Sequence, residues 1–374
     1  MPGTVLFTAN RGYALSSSRE QMIRHFLSLD WRVVIATDND GLCHWFKSMG
    51  VHTEHVLFHR GRLSPRKDAH AYRAMGTICQ KWQPDLIQQF HAKPVVLGSI
   101  AARRTLGESV RIVNTITGLG SILSAGRSRA MAAGLGFRAA LRRGDTTVFQ
   151  NPDDRALFVR KKWVAPESTT LITGSGVDID RFKAVDRAGR HPAAPVVVMI
   201  ARLLERKGIF EFASVARRIR QRWPRAKFLF AGECDPAHPN AIAKTWLRKQ
   251  QDIEYVGHLP DIVPFLHDAD LFLYPSLYRE GVPRVVVEAA ATALPAVAFD
   301  VPGVREAVQN NQTGLLVTAR DLDAMTTAVA DLIEDEDRRL SLGSAARVFA
   351  ENTLDIRHIQ KHYLDLYRSL GVVV

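Results

Sequence analysis

Long apolar runs are missing from this 374-residue chain. None approaches the roughly 20 consecutive positions that a membrane-spanning helix needs, so an integral helical membrane protein is excluded. Cysteine is scarce. Cys43, Cys79 and Cys234 are three, scattered, and without metal-ligand spacing. That excludes a disulfide-stapled scaffold and suits a reducing compartment. The opening Met-Pro-Gly-Thr-Val-Leu-Phe-Thr-Ala-Asn lacks the layout of a secretory signal and enters a strand directly. Internal repeats and low-complexity tracts are absent. No nucleic-acid-binding motif is found, and aromatics are not interleaved with basic residues. The expectation is a cytoplasmic protein without a nucleic-acid partner.

What is present is enough for two cores. At this length single cores usually split into domains. The apolar fraction, 46%, is that of a globular protein. The net charge of +12 is unevenly placed. Residues 1–190 carry 28 Lys and Arg against 15 Asp and Glu, a balance of +13, whereas residues 191–374 carry 22 against 23. The first half therefore suits an anionic partner.

Two blocks of alternating strands and helices are expected, which implies doubly wound parallel sheets. In the first block the spacing predicts strands at Thr4–Thr8, Arg32–Thr37, Asp85–Gln89, Arg111–Thr115 and Thr147–Gln150, with a polar loop after the first strand and a helix near Ser18–Ser28. In the second it predicts Val196–Ile200, Lys227–Ala231, Glu254–Val256, Leu271–Tyr274, Ala296–Phe299 and Leu315–Val317. A polar, proline-bearing segment at 184–195 reads as the linker. The expected organisation is a first domain over 1–183, a second over 196–355, and an amphipathic tail over 356–374.

Two constellations carry chemistry. In Tyr-Arg-Glu-Gly-Val-Pro-Arg-Val-Val-Val-Glu, Glu280 and Glu288 stand eight apart, the first in a loop and the second inside a helix. Eight residues is a little over two helical turns, so both carboxylates can face one crevice. Gly281 allows close backbone approach, Pro283 suits the first helical turn, and the open amides there bind hydroxyls or anions. An ordinary surface helix offers the same spacing. Upstream, Arg202 ends a buried strand and Lys207 follows it by five residues, just before Gly208. Ligands of open parallel sheets bind outside the carboxyl ends of strands. Two cations there suit a diphosphate.

In their order these segments resemble the retaining, nucleotide-sugar-dependent glycosyltransferases of family four. The resemblance runs from Gly174 to about Thr318: Gly-Ser-Gly-Val-Asp-Ile-Asp-Arg-Phe, the Arg202/Lys207 pair, Phe-Ala-Gly-Glu at 230–233, Val-Gly-His-Leu at 256–259, Tyr-Pro-Ser at 274–276, the two glutamates, Pro-Gly-Val-Arg-Glu at 302–306 and Thr-Gly-Leu-Leu-Val at 313–317. In the first half, His-Ala-Lys-Pro-Val and Asn-Thr-Ile-Thr-Gly-Leu-Gly look like the subgroup that extends sugars on polyprenyl-diphosphate carriers. The resemblance implies a GT-B fold, α/β with two Rossmann-like domains facing across a cleft and the C-terminal helix returning to the first.

It also implies roles. Glu288 would accept from both ribose hydroxyls. Arg202 and Lys207 would hold the diphosphate and stabilise the leaving charge. Glu280 would contact hydroxyls of the donor sugar. The stretch Gly281, Val282, Pro283 and Arg284 would position sugar or phosphate, through the N–H groups of its non-proline residues. The base would stack over Gly257, His258 and Leu259, with Gly232 keeping that wall low. In the first domain Gly12 remains from a fuller glycine-rich loop. Thr117 stands where many relatives carry a histidine. His91 and Lys93 are the acceptor-side candidates. Retention without a base fits a same-face attack in which the departing phosphate takes the proton.

No cofactor or metal is expected, the UDP-sugar being a substrate. Asp178 and Asp180 have metal-binding spacing but sit in a turn context, and Asp38 and Asp40 read as a loop. The stretch Gly126–Arg143 mixes Met131, Leu135, Phe137 and Leu141 with Arg127, Arg129, Arg138, Arg142 and Arg143. That suits a helix on an anionic membrane, with Arg60, Arg62, Arg66 and Lys67 extending the patch. A packed helix with a solvated face reads the same way. The expected function is transfer of a hexose or N-acetylhexosamine to a lipid-diphosphate-linked sugar in surface polysaccharide assembly, on the inner face of the cytoplasmic membrane. The alternatives are a sugar-nucleotide epimerase and a non-catalytic membrane- or nucleic-acid-binding protein on the same scaffold.

Overall fold

The computed structural model describes residues 3–59, 64–119, 127–190, 194–234 and 240–374. Arg60, Arg62, Gly126 and positions 191–193 of the expected linker lie outside the described residues, as do the side chains of Arg127 and Arg129. The chain divides into two compact units. One is Met1–Ser175 with Ile359–Val374, the other Gly176–His358.

The first unit is built on seven parallel strands: β1 Thr4–Thr8, β2 Arg32–Thr37, β3 His52–His55, β4 Leu86–Phe90, β5 Arg111–Ile116, β6 Thr146–Phe149 and β7 Thr169–Leu171. Their order is β3-β2-β1-β4-β5-β6-β7. The central strands β1 and β4 are buried along their whole length, as strands covered on both faces must be. The edge strands β3 and β7 were not expected. Each is short and half exposed, with no apolar run to announce it.

The first helix is longer than the sequence suggested, Gly12–Ser28. Ser16, Ser17 and Ser18 look like capping residues but bond back to the carbonyls of Tyr13 and Ala14. Serine hydroxyls do this inside helices. Gly12 is therefore the start of a helix rather than part of a mobile loop. A side chain there would meet Asp40 and the Phe46 ring, so close packing explains the glycine.

The C-terminal helix Ile356–Ser369 belongs to this unit from Ile359 onward. Ile359, Tyr363, Leu364 and Tyr367 share a core with Phe7, Ile23 and Phe26. The Tyr367 hydroxyl donates to Gln88 Oε1 at 2.7 Å, and Tyr363 lies 3.2 Å from the Thr115 hydroxyl. The Arg19 guanidinium sits over the rings of Phe90 and Tyr363.

The second unit holds β8 Val196–Ile200, β9 Lys227–Ala231, β10 Glu254–Gly257, β11 Leu271–Tyr274, β12 Ala296–Phe299 and β13 Gly314–Val317. The order is β10-β9-β8-β11-β12-β13, all parallel. The segment expected as the start of a free linker is integrated here. Buried Arg187 donates to the carbonyls of Ala269, Leu266 and Thr292, satisfying helix-end oxygens. The boundary between units falls at Ser175/Gly176, where a backbone pair, Val177 with Leu354 and Ile356, ties the segment to the returning chain.

Candidate active site

In the second sheet the chain runs outward from β8 in both directions, to β9 on one side and β11 on the other. Such a switch point opens a crevice at the carboxyl ends of its two strands. Lys207 arrives there from β8 through the turn Glu205–Lys207. Tyr274 is the last residue of β11. Glu280 stands in the loop that follows. Gly208 holds φ +87° after Lys207, and a side chain there would run into the Pro275 carbonyl. The turn is thereby pressed against the loop that carries Glu280.

The three groups form one cluster. Lys207 Nζ donates to Glu280 Oε1 and lies 3.3 Å from the Tyr274 hydroxyl, which also donates to Glu280 Oε1. The Tyr278 ring lies 5.1 Å from the ammonium. Lys207 is 8% exposed and Glu280 24%. Burial lowers the pKa of Lys207, and the charge of Arg202 adds to this against the attraction of Glu280. Burial raises the Glu280 carboxyl, but Lys207, Tyr274 and Arg202 together outweigh it and the net shift is downward. Burial and then the Glu280 charge push the Tyr274 phenol well up. Arg202 itself is half-buried at the exit of β8. The sequence pointed to Lys207, Glu280 and Arg202. Tyr274 was visible only as part of a Tyr-Pro-Ser motif.

Glu288 lies on the helix Arg284–Ala291, nearly buried at 8% exposure. Pro283 is its N-cap, and Gly281, Val282 and Pro283 are buried beneath the turn. Glu288 Oε1 accepts from Arg284 Nη2 at 2.9 Å. Spacing of four along a helix brings such a pair together. The sequence reading used only the Arg284 backbone.

At the other end of this unit's crevice edge, Gly232 donates its N–H to the Gly257 carbonyl at 2.8 Å. A side chain at Gly232 would strike the Ala201 carbonyl. A pocket of about 550 Å³ opens here, lined by Gly232, Tyr255, Gly257 and exposed His258, with Lys244 and Arg248 opposite. Leu259 is turned inward against the core. Lys244 and Arg248 carried no sequence signal, because only tertiary folding brings them to the ends of β9 and β10.

The first sheet has its own switch point, between β1 and β4. The Asn10 N–H donates to His91 Nδ1 at 3.4 Å, across the ends of those strands. His91 holds φ +70°, an unusual backbone for a non-glycine residue. Lys93 is ion-paired with Asp68, a partner the sequence did not suggest. Thr117 is half-buried just past the end of β5. Asp40 accepts from the Tyr13 N–H at 2.8 Å. Asp178 accepts from the N–H groups of Asp180 and Arg181, and Asp180 pairs with Arg357.

Comparison with known proteins gives this geometry its family. A family model described as "Glycosyl transferases group 1" matches residues 194–335, and a "Glycosyl transferase 4-like" model matches 4–151. An N,N'-diacetylbacillosaminyl-diphospho-undecaprenol alpha-1,3-N-acetylgalactosaminyltransferase of Campylobacter jejuni is 25% identical over 96% of this chain and 97% of its own. A UDP-Gal:alpha-D-GlcNAc-diphosphoundecaprenol alpha-1,3-galactosyltransferase of Escherichia coli is 24% identical over 73% of each chain. Among solved structures, Anabaena Alr3699/HepE in complex with UDP and glucose superposes with a TM-score of 0.78, at 18% identity over 98% of this chain and all of that one. Two Rossmann-like units, each matched by its own half of the family, make this chain a nucleotide-sugar glycosyltransferase of group 1, family four, with the GT-B fold.

Proposed function

We propose that the chain transfers a hexose or N-acetylhexosamine from a UDP-sugar to a sugar carried on a lipid diphosphate, with retention of configuration. The observation that carries the donor half is the Lys207–Tyr274–Glu280 cluster beside Arg202 at the β8/β11 switch point. Lys207 and Arg202 would neutralise the diphosphate as the sugar bond breaks. Stabilisation of developing charge by fixed groups is usually the largest catalytic contribution. Glu280 would receive sugar hydroxyls and Glu288 the ribose. The wall at Gly232, Gly257 and His258 would take the base, while Leu259 packs behind it against the core. The lipid-diphosphate acceptor draws support from the names of the Campylobacter and Escherichia relatives, and UDP from the HepE complex.

His91 and Lys93 would stand on the acceptor side, and neither is assigned the proton transfer. The leaving phosphate oxygen would take the proton of the attacking hydroxyl as the new bond forms on the same face. No metal enters this scheme. Asp178 accepts turn N–H groups and Asp180 pairs with Arg357, which accounts for both carboxylates without a cation in the proposed scheme. Activity that disappears in EDTA and returns with Mn²⁺ would reverse that point.

The membrane reading rests on the helix Arg127–Leu141. Phe137 and Leu141 do not face out with the arginines; both are buried, Phe137 against Phe158. Met131 and Leu135 are 69% and 64% exposed. They fall at helical spacing with exposed Arg138 and Arg142, which makes one apolar and cationic stripe. Among the described residues no helix is long and apolar enough to cross a membrane. The stripe suits a peripheral contact with anionic lipid, where a lipid-linked acceptor is found.

The direct test is mass spectrometry of products from a panel of UDP- and GDP-sugars with a lipid-diphosphate-linked sugar. A UDP-sugar should yield a lipid-linked product extended by one sugar, and the anomeric proton coupling in NMR of that product should show the donor's configuration. An inverted product or transfer only from a GDP-sugar would sink the corresponding part of the reading.

A further inference from the structure

Lys207 is not waiting as an open cation. It is 8% exposed, and its ammonium is already engaged by a carboxylate oxygen that the neighbouring Tyr274 hydroxyl also holds. A buried ammonium without an anion is strongly disfavoured, so the empty site needs an internal counter-charge. The same ammonium is the group assigned above to the donor diphosphate. Both anions would have to share one nearly buried nitrogen with a phenol already beside it.

We propose that Glu280 is an internal stand-in for the donor's diphosphate: its carboxylate keeps Lys207 charged and placed in the free enzyme, and a nucleoside diphosphate binds by taking Lys207 from it. The released carboxylate, still held by the Tyr274 hydroxyl, is then the acceptor that the donor sugar's hydroxyls meet. Tyr274 is in this scheme a positioning residue. It sits at the end of β11 and is 1% exposed, so its hydroxyl is fixed by the sheet and not by the loop. The exchange links two events. Glu280 becomes open to the sugar only when the diphosphate has engaged Lys207. A nucleotide without a sugar loses the Lys207–Glu280 pair and gains no sugar contact in return.

This inference rests on the donor assignment of the previous section, and it makes a prediction of opposite sign to a simple contact role. If Glu280 only touched the sugar, its removal would leave UDP binding unchanged. If it occupies Lys207, its removal strengthens UDP binding while transfer is lost. Calorimetry with UDP and, in parallel, GDP should find Glu280→Gln binding about tenfold tighter than wild type, the size of one charge-assisted hydrogen bond that no longer has to be exchanged. Turnover with the sugar donor should fall in the same protein. Glu280→Asp keeps the charge but shortens the reach, and should shift UDP affinity in the same direction should the glutamine variant fail to fold.

A double-mutant cycle separates competition from a general field effect. In a Lys207→Ala background the Glu280→Gln gain should disappear, since there is no longer a cation to release. A gain that persists there, or a folded Glu280→Gln that binds UDP no better than wild type, overturns the exchange. Wild type that binds GDP but not UDP overturns the UDP assignment alone, and the same comparison is then read with GDP. Wild type that binds neither overturns the donor site and the inference with it.

Discussion

The two units use one topology and furnish it differently. Each is a parallel sheet that switches direction once, between β1 and β4 in the first and between β8 and β11 in the second. At the second switch point stand charges: Lys207, Glu280 and Arg202, with Glu288 and Arg284 on the helix that follows. In the first, a network of amides and hydroxyls is buried beside the Arg19 guanidinium, which lies over the rings of Phe90 and Tyr363. Gln88, Gln89, Ser99, Asn114 and Thr115 bond among themselves and to Tyr363 and Tyr367 of the C-terminal helix. The contrast teaches that an identical crevice can be built as an electrostatic site or as a polar core that fastens another element. Burying charge costs more desolvation than burying amides and hydroxyls, so a largely neutral network fastens an element at lower cost.

The sharpest way to break the comparison is Lys207→Ala. If the second unit's charges do the chemistry, turnover at saturating donor should fall by about 10²–10³, the usual loss for a group that stabilises developing charge. Initial rates by product release would check this, and wild-type turnover would dismiss the diphosphate assignment. Glu288→Ala follows. It removes a charged acceptor proposed for the ribose and should weaken UDP binding by about 1.5–3 kcal/mol, as seen by titration calorimetry.

Tyr367→Phe probes the neutral network instead. Gln88 Oε1 would lose its donor in a buried setting, and stability should drop by about 1–3 kcal/mol in denaturant unfolding. UDP affinity should not change, because the affected groups lie in the other unit. Smaller still is Arg138→Glu with Arg142→Glu. Each basic residue near an anionic surface contributes about 1 kcal/mol, so vesicle flotation should show clear release. Activity on a short-chain soluble acceptor should survive. If it is lost, the stripe belongs to the acceptor site.

The weakest effect is on acid stability. The folded-state pKa of Glu280 is lowered, so its pair contributes stability that is present above the ordinary glutamate value and is lost as pH falls through the folded value. Glu280→Gln should be less stable than wild type above that ordinary value, and the two unfolding curves should converge as the pH falls through the folded value.

Much of this was readable along the chain. Eleven strands were placed within a residue or two, because strands buried on both faces read as short apolar runs. The two not foreseen, β3 and β7, are edges whose His52, Thr53 and Thr169 carry no such run. The start of the first helix was hidden by three serines whose hydroxyls bond backward rather than cap. The outward face of the basic helix was misjudged at Phe137 and Leu141, since which side of a short-period helix is buried depends on Phe158 and Trp163 elsewhere in the chain.

The sequence by itself determined the two-block α/β order, the positions of Lys207, Glu280 and Glu288, and the uneven charge of the halves, because period, motif spacing and composition are local properties. Only the tertiary structure decided which of those groups meet. Tyr274 and Lys207 lie 67 positions apart, yet β8 and β11 are neighbours in the sheet, and so one hydroxyl and one ammonium reach the same carboxylate oxygen. Burial and the neighbouring charges then shift their pKa values together, and both depend on groups that distant parts of the chain contribute.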